Sequence, residues 1–428
     1  MYPEHSGRIG PIETHRRFHY GWVILGFGVL TTLSALGFAR FGYSLILPSM
    51  QRGLGFTNTD TGMLASGNFI GYLFMALVGG FLASHYGPRR VIAVSLLLVG
   101  VAMVMTGFSY NFASAFVFRV LTGLGSGGSN VPVMGLMAAW FATKRRGLAT
   151  GVAVSGSSFA LIITGSLVPF ILNSSPTNGW RYSWFVLGAF IIPIAVLAYF
   201  LLRDRPQEKN LAPIGTETKP AGNGQPGQKT QDDAPRGIKS WALVYKSGVV
   251  WHLSLIYFMF GFSYIIYLTY FAKYLQDELH FTKEAAGHYW QLLGWTSLLC
   301  GVIWGGISDV IGRKYALALV SIQQACAYLI FAVWTTAPGP AVSAVVFGLS
   351  AWSIPAIMAS ACGDHLGARL APSALGFMTL IFGIGQMLGP PTAGWIADHT
   401  GSFVLAFIAA MAAALIGAVT SFFLKRAQ

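Results

Sequence analysis

Two arginines interrupt stretches that are otherwise apolar. Arg40 lies in "GFARFGYSLILPSM", residues 37–50, and Arg119 lies in "FVFRVLTGLGSGG", residues 116–128. A charge at mid-membrane costs at least about 2.5 to 3.5 kcal/mol on insertion scales, and such residues are usually paired or line a cavity. A guanidinium also matches a carboxylate or a phosphate in bidentate geometry. Both positions are therefore candidates for binding an anion.

The sequence places no acidic residue at the depth of these two arginines. All fourteen Asp and Glu residues lie in tails, loops or the ends of predicted helices. Arg40 is about 20 residues into the first predicted helix, which at about 1.5 Å per residue puts it in the outer half of a bilayer. Arg119 lies in a helix that runs the other way, at a similar depth. We therefore expect the substrate to supply the negative charge; the alternative is that Arg40 bonds backbone carbonyls or snorkels outward.

Uncharged polar residues within the predicted spans add further candidates. Tyr43 is three residues from Arg40 and so on the same helical face. Tyr267 stands in the same relation to Tyr264 further along the chain. The full set of substrate-binding candidates is Arg40, Tyr43, Arg119, Asn130, Tyr264, Tyr267, Gln291 and Gln386. Packing is the alternative for the tyrosines, and hydrogen bonding between helices is the alternative for the amides.

Proton coupling has two candidates, His252 and His288, because a histidine titrates near neutral pH. Both are near the ends of predicted helices, and simple solvation is the alternative role. In the absence of a mid-membrane carboxylate, a proton would travel on the substrate, a histidine or a tyrosine. The sequence shows no cluster with metal-ligand spacing and no pair of nucleophile and base, so we expect no metal, no cofactor and no enzymatic activity.

The composition determines the elements that must hold these residues. Of the 428 residues, 54% are hydrophobic and 10% are charged, whereas soluble domains carry about 25% charged residues. A membrane-spanning helix needs about 20 apolar residues, and long uniform runs of this kind favour helices over a membrane barrel. Twelve such runs are predicted to span a lipid bilayer, at residues 20–48, 60–84, 90–110, 113–141, 147–172, 183–202, 249–275, 286–308, 315–336, 340–362, 371–396 and 402–424.

The net charge of +13 has an uneven distribution along the chain. Of the 27 Lys and Arg residues, 21 lie in the tails and in one set of alternate loops, and three (Arg52, Arg181, Lys283) lie in the opposite set. By the positive-inside rule, both termini are expected in the cytoplasm of a bacterium, with the protein in its inner membrane. This distribution explains the positive charge without a nucleic-acid partner.

An internal duplication organises the chain. Residues 203–248 are polar and rich in Pro and Gly, and we interpret them as a flexible cytoplasmic linker between two groups of six helices. Residues 37–62 align with residues 261–287, which sets Arg40 against Tyr264, Tyr43 against Tyr267 and Gly62 against Gly287. Beyond this stretch the register is 225 residues. The predicted organisation is a tail (1–19), an N-terminal bundle (20–202), the linker (203–248), a C-terminal bundle (249–424) and a tail (425–428).

The loop after the eighth predicted span carries a known pattern. Gly305, Asp309, Gly312, Arg313 and Lys314 fit the G-x-x-x-D-x-x-G-R-K signature, and here the chain resembles the major facilitator superfamily. The resemblance implies an all-α membrane protein of twelve transmembrane helices in two pseudo-symmetric six-helix bundles. It also implies a cytoplasmic gate formed by these residues, with Arg369 as the partner of Asp309. The first copy of the motif keeps Gly80 and Gly87, but Ser84 replaces the acid.

Other stretches refine this resemblance. Arg119, Gly123 and Gly127 resemble the superfamily's fourth-helix motif, while "GLGSGG" at 123–128 is no dinucleotide fingerprint, because it lies within an apolar span. The opening "HYGWVILGFGV" is similar to the bacterial monocarboxylate and oxalate/formate porter branches. We therefore expect a monomeric secondary transporter that moves a small organic anion, a monocarboxylate or a dicarboxylate, by proton symport or anion exchange. The alternatives are a drug or metabolite efflux carrier and a membrane sensor without transport.

Overall fold

A computed structural model describes residues 18–216 and 244–424, except for the side chains of residues 368 and 369. Within these ranges the chain folds into twelve long helices with short connections. The helices are α1 (Gly21–Leu54), α2 (Asn58–Tyr86), α3 (Pro88–Gly107), α4 (Phe112–Trp140), α5 (Thr143–Ser174), α6 (Gly179–Leu201), α7 (Gly248–Glu278), α8 (Lys283–Ser297 and Cys300–Ile311), α9 (Arg313–Val333), α10 (Pro338–Gly367), α11 (Leu370–Thr400) and α12 (Val404–Phe422).

The number and order of these helices match the predicted spans. In the described part of the chain, ten helices are long and apolar enough to cross a membrane, and α8 is an eleventh if its two segments, bent by 42°, form one span. The remaining helix, α4, has 29 residues but is rich in Gly and Ser, which lowers its apolar character. Its length nevertheless exceeds the roughly 20 residues that a bilayer requires.

Local sequence sets where these helices begin. Thr57 and Asp60 form a reciprocal capping box at the start of α2, and Asn111 and Ser114 do the same for α4. Each cap satisfies backbone N–H groups that the first helical turn leaves free. Capping therefore allows the chain to reverse direction within a few residues at these two loops.

The predicted duplication is visible in the backbone. Gly87 and Gly312, which are 225 residues apart, both have left-handed φ angles, +85° and +88°, in the loops after α2 and α8. An L-residue rarely adopts this conformation, whereas glycine does so readily. Each glycine directly precedes the next helix, so the two repeats make the same turn at the same position.

The two six-helix groups touch along α2 with α11 and along α5 with α8. A Cβ atom added to Gly62 would lie 2.4 Å from the Pro390 carbonyl oxygen, and one added to Gly287 would lie 2.2 Å from that of Gly165. The two contacts are equivalent in the repeat, because Gly62 and Gly287, and likewise Gly165 and Pro390, are 225 residues apart. Small residues of this kind let helix backbones approach closely.

Polar contacts between the halves follow the same register. Ser66 Oγ donates to the Met387 carbonyl oxygen, and the mate of Ser66, Gln291, donates to that of Ile162 at 3.0 Å. Asp398 accepts from the Thr59 N–H at 2.8 Å, and the mates of these two residues, Asn173 and Glu284, also bond each other. The same pseudo-symmetry thus relates the α2–α11 contact to the α5–α8 contact.

The bundle has two distinct ends. The terminus end is the one at which the described chain begins and ends, at residues 18 and 424; the opposite end holds the loops after α1 and α7. Across the opposite end, Arg52 Nη1 lies 2.8 Å from Asp277 Oδ1, and Asp398 bonds the backbone N–H groups of Asn58 and Thr59. Among residues 18–216 and 244–424, the polar contacts between the halves lie at this end and at mid-depth, so the opposite end is closed.

The start of the predicted linker differs from the expectation of a flexible segment. Residues 203–216 lie against the N-terminal bundle. Ile214 exchanges backbone hydrogen bonds with the end of α4 and the residues after it, since its N–H donates to the Trp140 carbonyl and its carbonyl accepts from Ala142 N–H. Buried backbone donors require such partners. Residues 217–243, the rest of the predicted linker up to its last five residues, are outside the described ranges, as are the predicted tails except residues 18 and 19.

Candidate substrate-binding site

A local change of helix type positions Arg40. Residues Leu33–Phe41 form a π-helical segment inside α1, between the α-helical segments Gly21–Thr32 and Gly42–Leu54. π-helical turns are rare in proteins and occur frequently at functional sites. The wider turn carries Arg40 at its end, at mid-depth, where α1 faces α2, α4 and the C-terminal half.

Arg40 is buried between aromatic rings, and two of its three guanidinium nitrogens have no hydrogen-bond partner among the described residues. Its side chain is 9% exposed, and its guanidinium carbon lies 4.5 Å from the centroid of the Phe69 ring and 4.6 Å from that of Tyr72. Aromatic faces attract a cation but do not accept conventional hydrogen bonds. Arg40 Nε and Nη2 are shielded from solvent and have no partner among the described residues. A buried guanidinium with two unpaired nitrogens, Nε and Nη2, is therefore available to an oxyanion.

Arg119 has a different environment, although it is close by. It is 1% exposed, its Nη1 donates to the Ala39 carbonyl at 2.6 Å and its Nε donates to that of Leu64 at 3.4 Å. Its guanidinium carbon also lies 4.8 Å from the centroid of the Tyr43 ring. Bonding to backbone carbonyls, which the sequence left open as the alternative for Arg40, is thus found at Arg119. Since Ala39 directly precedes Arg40, Arg119 holds the backbone that carries Arg40.

The C-terminal half presents neutral polar groups to Arg40. Tyr264 of α7 is close enough to interact with the charge of Arg40, and its hydroxyl accepts a hydrogen bond from Gln386 Nε2 of α11. On the N-terminal side, Asn130 Nδ2 donates to the Tyr72 hydroxyl at 3.0 Å, while Asn130 Oδ1 is buried and unpaired. The two phenols therefore border the guanidinium, and each phenol is bonded to an amide, Tyr72 to Asn130 and Tyr264 to Gln386.

A small cavity lies beside the two arginines. Its walls come from both halves and include Arg40, Tyr43, Ser44, Phe69, Arg119 and Thr269. The space open to the centre of a water molecule is about 10 Å³, which is roughly what one water molecule requires. In this conformation an organic anion does not fit beside Arg40, so its binding requires the two halves or the local side chains to move apart.

Two predicted binding residues lie elsewhere in the described structure. Tyr267 is fully buried inside the C-terminal half, and its hydroxyl is 2.8 Å from Ser343 Oγ. Gln291 joins α8 to α5 by donating to the Ile162 carbonyl and to Ser166 Oγ. Neither residue lines the cavity, and Asn130, Tyr264 and Gln386 do not line it either. Tyr267 faces its own bundle, and Gln291 bonds α5.

The predicted proton-coupling residues are also away from the cavity. His252 Nε2 lies 2.7 Å from the Thr420 carbonyl oxygen, near the start of α7 at the terminus end. His288 is exposed, near the start of α8 at the opposite end. In this conformation neither histidine lies beside Arg40. The role of His252 and His288 in proton coupling stays a prediction.

The motif after α8 forms a charged cluster at the terminus end. Arg313 Nη1 lies 2.6 Å from Asp309 Oδ1, and Arg313 Nε lies 3.1 Å from Asp364 Oδ2 of α10. The Lys314 ammonium lies over the ring of the adjacent Tyr315, at 5.6 Å. The side chain of Arg369, the predicted partner of Asp309, is outside the described residues. The cluster ties α8 to α9 and α10.

The first copy of the motif receives a carboxylate from another part of the chain. Asp204, just after α6, accepts a hydrogen bond from the Arg89 backbone N–H at 2.7 Å and lies against Gly87. Gly80 has open space where a Cβ would be. Asp204 thus caps the start of α3 in the copy of the motif where Ser84 replaces the acid.

Sequence reasoning missed the aromatic part of the site. Phe69 and Tyr72 flank Arg40, and Phe382 of α11 stacks on Tyr257 of α7 at 4.2 Å between ring centroids. The chain contains 31 Phe and 17 Tyr residues, so no local pattern marks these few. Which aromatic rings lie beside Arg40, and which stack between α7 and α11, depends on how the helices pack.

The fold and the site define a class of protein: a membrane transporter built of two repeated helical halves around a central polar site. Residues 27–382 match the model of the Major Facilitator Superfamily. The chain therefore belongs to this family, which confirms the expected fold and shows that its class is transporter and not enzyme.

Known relatives are similar over most of their length. The probable sulfoacetate transporter of Cupriavidus necator is 27% identical over 402 residues, 90% of each chain, and the hexuronate transporter of Bacillus subtilis is 25% identical over 385 residues, 87% of each chain. The solved structure of a bacterial homologue of the human lysosomal transporter Spinster, in an inward-facing and occupied conformation, has a TM-score of 0.73 at 14% identity. It covers 97% of this chain and 98% of that one. This last likeness concerns the fold alone.

Proposed function

We propose that this protein carries a small organic anion across the membrane by alternating access, with the acidic head of the anion bound to Arg40. The observation that carries the proposal is the buried Arg40 guanidinium, whose Nε and Nη2 have no partner among the described residues. Leaving a buried charged donor unpaired is costly. A carboxylate or sulfonate oxygen pair would accept both N–H groups in bidentate geometry.

The rest of the substrate is expected to meet neutral polar groups. Tyr264 and Gln386 on the C-terminal half, and Asn130 on the N-terminal half, supply hydroxyl and amide groups around the guanidinium. Hydroxyl or carbonyl groups on the anion would bond there, while Phe69 and Tyr72 provide apolar surface. The named substrates of the two relatives, sulfoacetate and hexuronate, are organic acids and support this class.

The two ends of the bundle support a rocking mechanism. The opposite end is closed by glycine contacts and polar links, and the cavity beside Arg40 is too small for an anion. Access would alternate as the halves tilt about the central site, which is how transporters with repeated halves work. With both termini in the cytoplasm of a bacterium, as the charge distribution favours, the closed end faces outward.

Uptake of labelled organic acids into proteoliposomes tests the proposal. The panel contains monocarboxylates, dicarboxylates, hydroxy acids and sulfonates, plus an organic cation of similar size as a negative control. We expect uptake of one or more acids by the unsubstituted protein and its loss in Arg40→Gln. Anion uptake that is unaffected by Arg40→Gln would remove Arg40 from the mechanism.

The same proteoliposomes distinguish proton symport from anion exchange. Proton symport predicts that an inward proton gradient drives uphill uptake, whereas anion exchange predicts that uptake requires a second anion preloaded inside. His252→Gln and His288→Gln, tested under a proton gradient, show whether either imidazole carries the proton.

A further inference from the structure

An apolar groove lies on the surface of the N-terminal half, between α3 and α6. It shares no residue with the central cavity. Its walls are wholly apolar and include Ala93, Val94 and Leu97 of α3 and Ala195, Val196 and Tyr199 of α6, and its volume is about 260 Å³. Val94 is 66% exposed. Since α3 begins and α6 ends at the terminus end, the groove lies in the part of the bundle nearest that end.

Two arginines, Arg89 and Arg90, lie at the end of this groove that is nearest the terminus end of the bundle. The guanidinium carbon of Arg89 lies 4.9 Å from the centroid of the Tyr199 ring, which forms part of the wall. Arg89 Nε is shielded from solvent and has no hydrogen-bond partner in the described chain. Arg90, the next residue, is exposed. One buried, unsatisfied donor and one free cation thus lie directly beyond the apolar walls.

The backbone is fixed so that Arg89 stays in this position. Asp204 accepts from the Arg89 backbone N–H at 2.7 Å, and no ion pair joins its carboxylate to the Arg89 side chain in the described residues. The other nearby cation, Arg203, donates through Nη1 to the carbonyls of Phe200 and Leu202, both at 2.7 Å. Arg89 and Arg90 therefore keep their side-chain charge available.

We propose that this groove is a binding site for an anionic glycerophospholipid. One acyl chain lies along the apolar walls, and the phosphate accepts hydrogen bonds from Arg89 Nε and the Arg90 guanidinium. A phosphate oxygen supplies the partner that Arg89 Nε lacks, and a bidentate phosphate suits arginine better than lysine. Two adjacent cations favour a net-negative headgroup over a zwitterionic one, because basic residues near a membrane surface attract anionic lipid.

Native mass spectrometry of protein released from vesicles with equal phosphatidylglycerol and phosphatidylcholine tests the site. We expect the unsubstituted protein to retain phosphatidylglycerol in preference, with a roughly fivefold contribution from each arginine. Arg89→Gln with Arg90→Gln should reduce the retained ratio to about that of the bilayer. Equal retention of the two lipids by the unsubstituted protein would overturn the proposal.

Two further variants separate a built site from diffuse surface charge. Arg145→Gln with Arg146→Gln removes the same charge from α5 at the same end, and it should leave the preference intact; an equal loss here would refute the site. Ala93→Leu with Ala195→Leu fills the groove but keeps both arginines, and it should also lower retention. Retention that survives groove filling would show that no acyl chain lies there.

Discussion

The two repeats carry different chemistry at matching positions. In the N-terminal half the position is Arg40, a buried cation with two free N–H groups; in the C-terminal half it is Tyr264, a neutral phenol bonded to Gln386. Three residues later, Tyr43 borders the central cavity, but its mate Tyr267 is bonded to Ser343 inside its own bundle. At this position the repeats therefore differ in helix type, since α1 is π-helical around Arg40 and α7 is α-helical around Tyr264, and in which half holds charge.

This asymmetry indicates a division of labour between the halves. The N-terminal half supplies the charge and supports it, because Arg119 bonds the carbonyl of Ala39, the residue before Arg40. The C-terminal half supplies neutral groups and closes over the site through α7 and α11. Symmetry is retained instead at the opposite end, where contacts such as Gly62 with Pro390 and Gly287 with Gly165 repeat. Under the proposed alternating access, both halves separate and close there in the same way.

Replacing the charge should have the largest effect. In Arg40→Gln, the loss of a buried charge-assisted pair with the substrate is expected to cost about 3 kcal/mol, a roughly hundredfold or greater loss of affinity. Arg40→Lys keeps the charge but loses the planar fork, so its affinity should be intermediate. Proteoliposome uptake over a range of anion concentrations measures both. A KM for Arg40→Gln equal to that of the unsubstituted protein contradicts the assignment.

Arg119 should act on stability more than on affinity. Arg119→Leu leaves the carbonyls of Ala39 and Leu64 without their donors, and we expect a loss of about 2 to 3 kcal/mol of stability. The KM should change by less than in Arg40→Gln, because the substrate contact is indirect. Thermal unfolding in detergent together with uptake gives the two quantities. If KM rises as much as in Arg40→Gln with no change in melting temperature, both arginines bind the anion.

The symmetric contacts at the opposite end should set how readily it closes. In Gly287→Val, the new side chain meets the Gly165 carbonyl, and such overpacking typically costs about 1 to 3 kcal/mol, here at the expense of the closed state. Ala65 lines the central cavity. We expect faster labelling of a cysteine placed there, in a background without Cys300, Cys326 and Cys362, by a reagent added from the side of the opposite end.

Gly306→Val provides the matched control for this experiment, since Gly306 has open space where a Cβ would be. It should leave labelling unchanged. Equal labelling rates for the two variants would show that the Gly165 contact does not govern closure.

The smallest expected effect is a change in KM that distinguishes Tyr264 from Tyr267. Tyr264→Phe removes the hydroxyl that receives the Gln386 hydrogen bond, and a neutral hydrogen bond contributes about 1 kcal/mol, or a roughly fivefold change in KM. Tyr267→Phe removes a hydroxyl bonded to Ser343, so it should lower the melting temperature and leave KM unchanged. The reverse pattern would place Tyr267, and not Tyr264, at the substrate.

Much of the architecture could be predicted because a membrane-spanning helix can be recognised from a single continuous run of apolar residues. Each span must be apolar and long enough to cross the bilayer, so the twelve helices followed from runs of residues. The duplication followed from the register of Gly62 and Gly287. The beginning of the linker was harder, since residues 203–216 are polar in sequence yet satisfy backbone donors after α4, a pairing that composition does not encode.

The sequence by itself determined that a charge must be buried, where it lies along α1, and that no acidic residue at that depth neutralises it. Only the tertiary structure decided which arginine is free. The hydrogen-bond partners of Arg119 are backbone carbonyls of α1 and α2, and every residue has a carbonyl, so no residue type announces them. Their availability depends on how closely helices approach and on the π-helical turn of α1. For that reason two equivalent arginines in sequence have different environments in the folded protein.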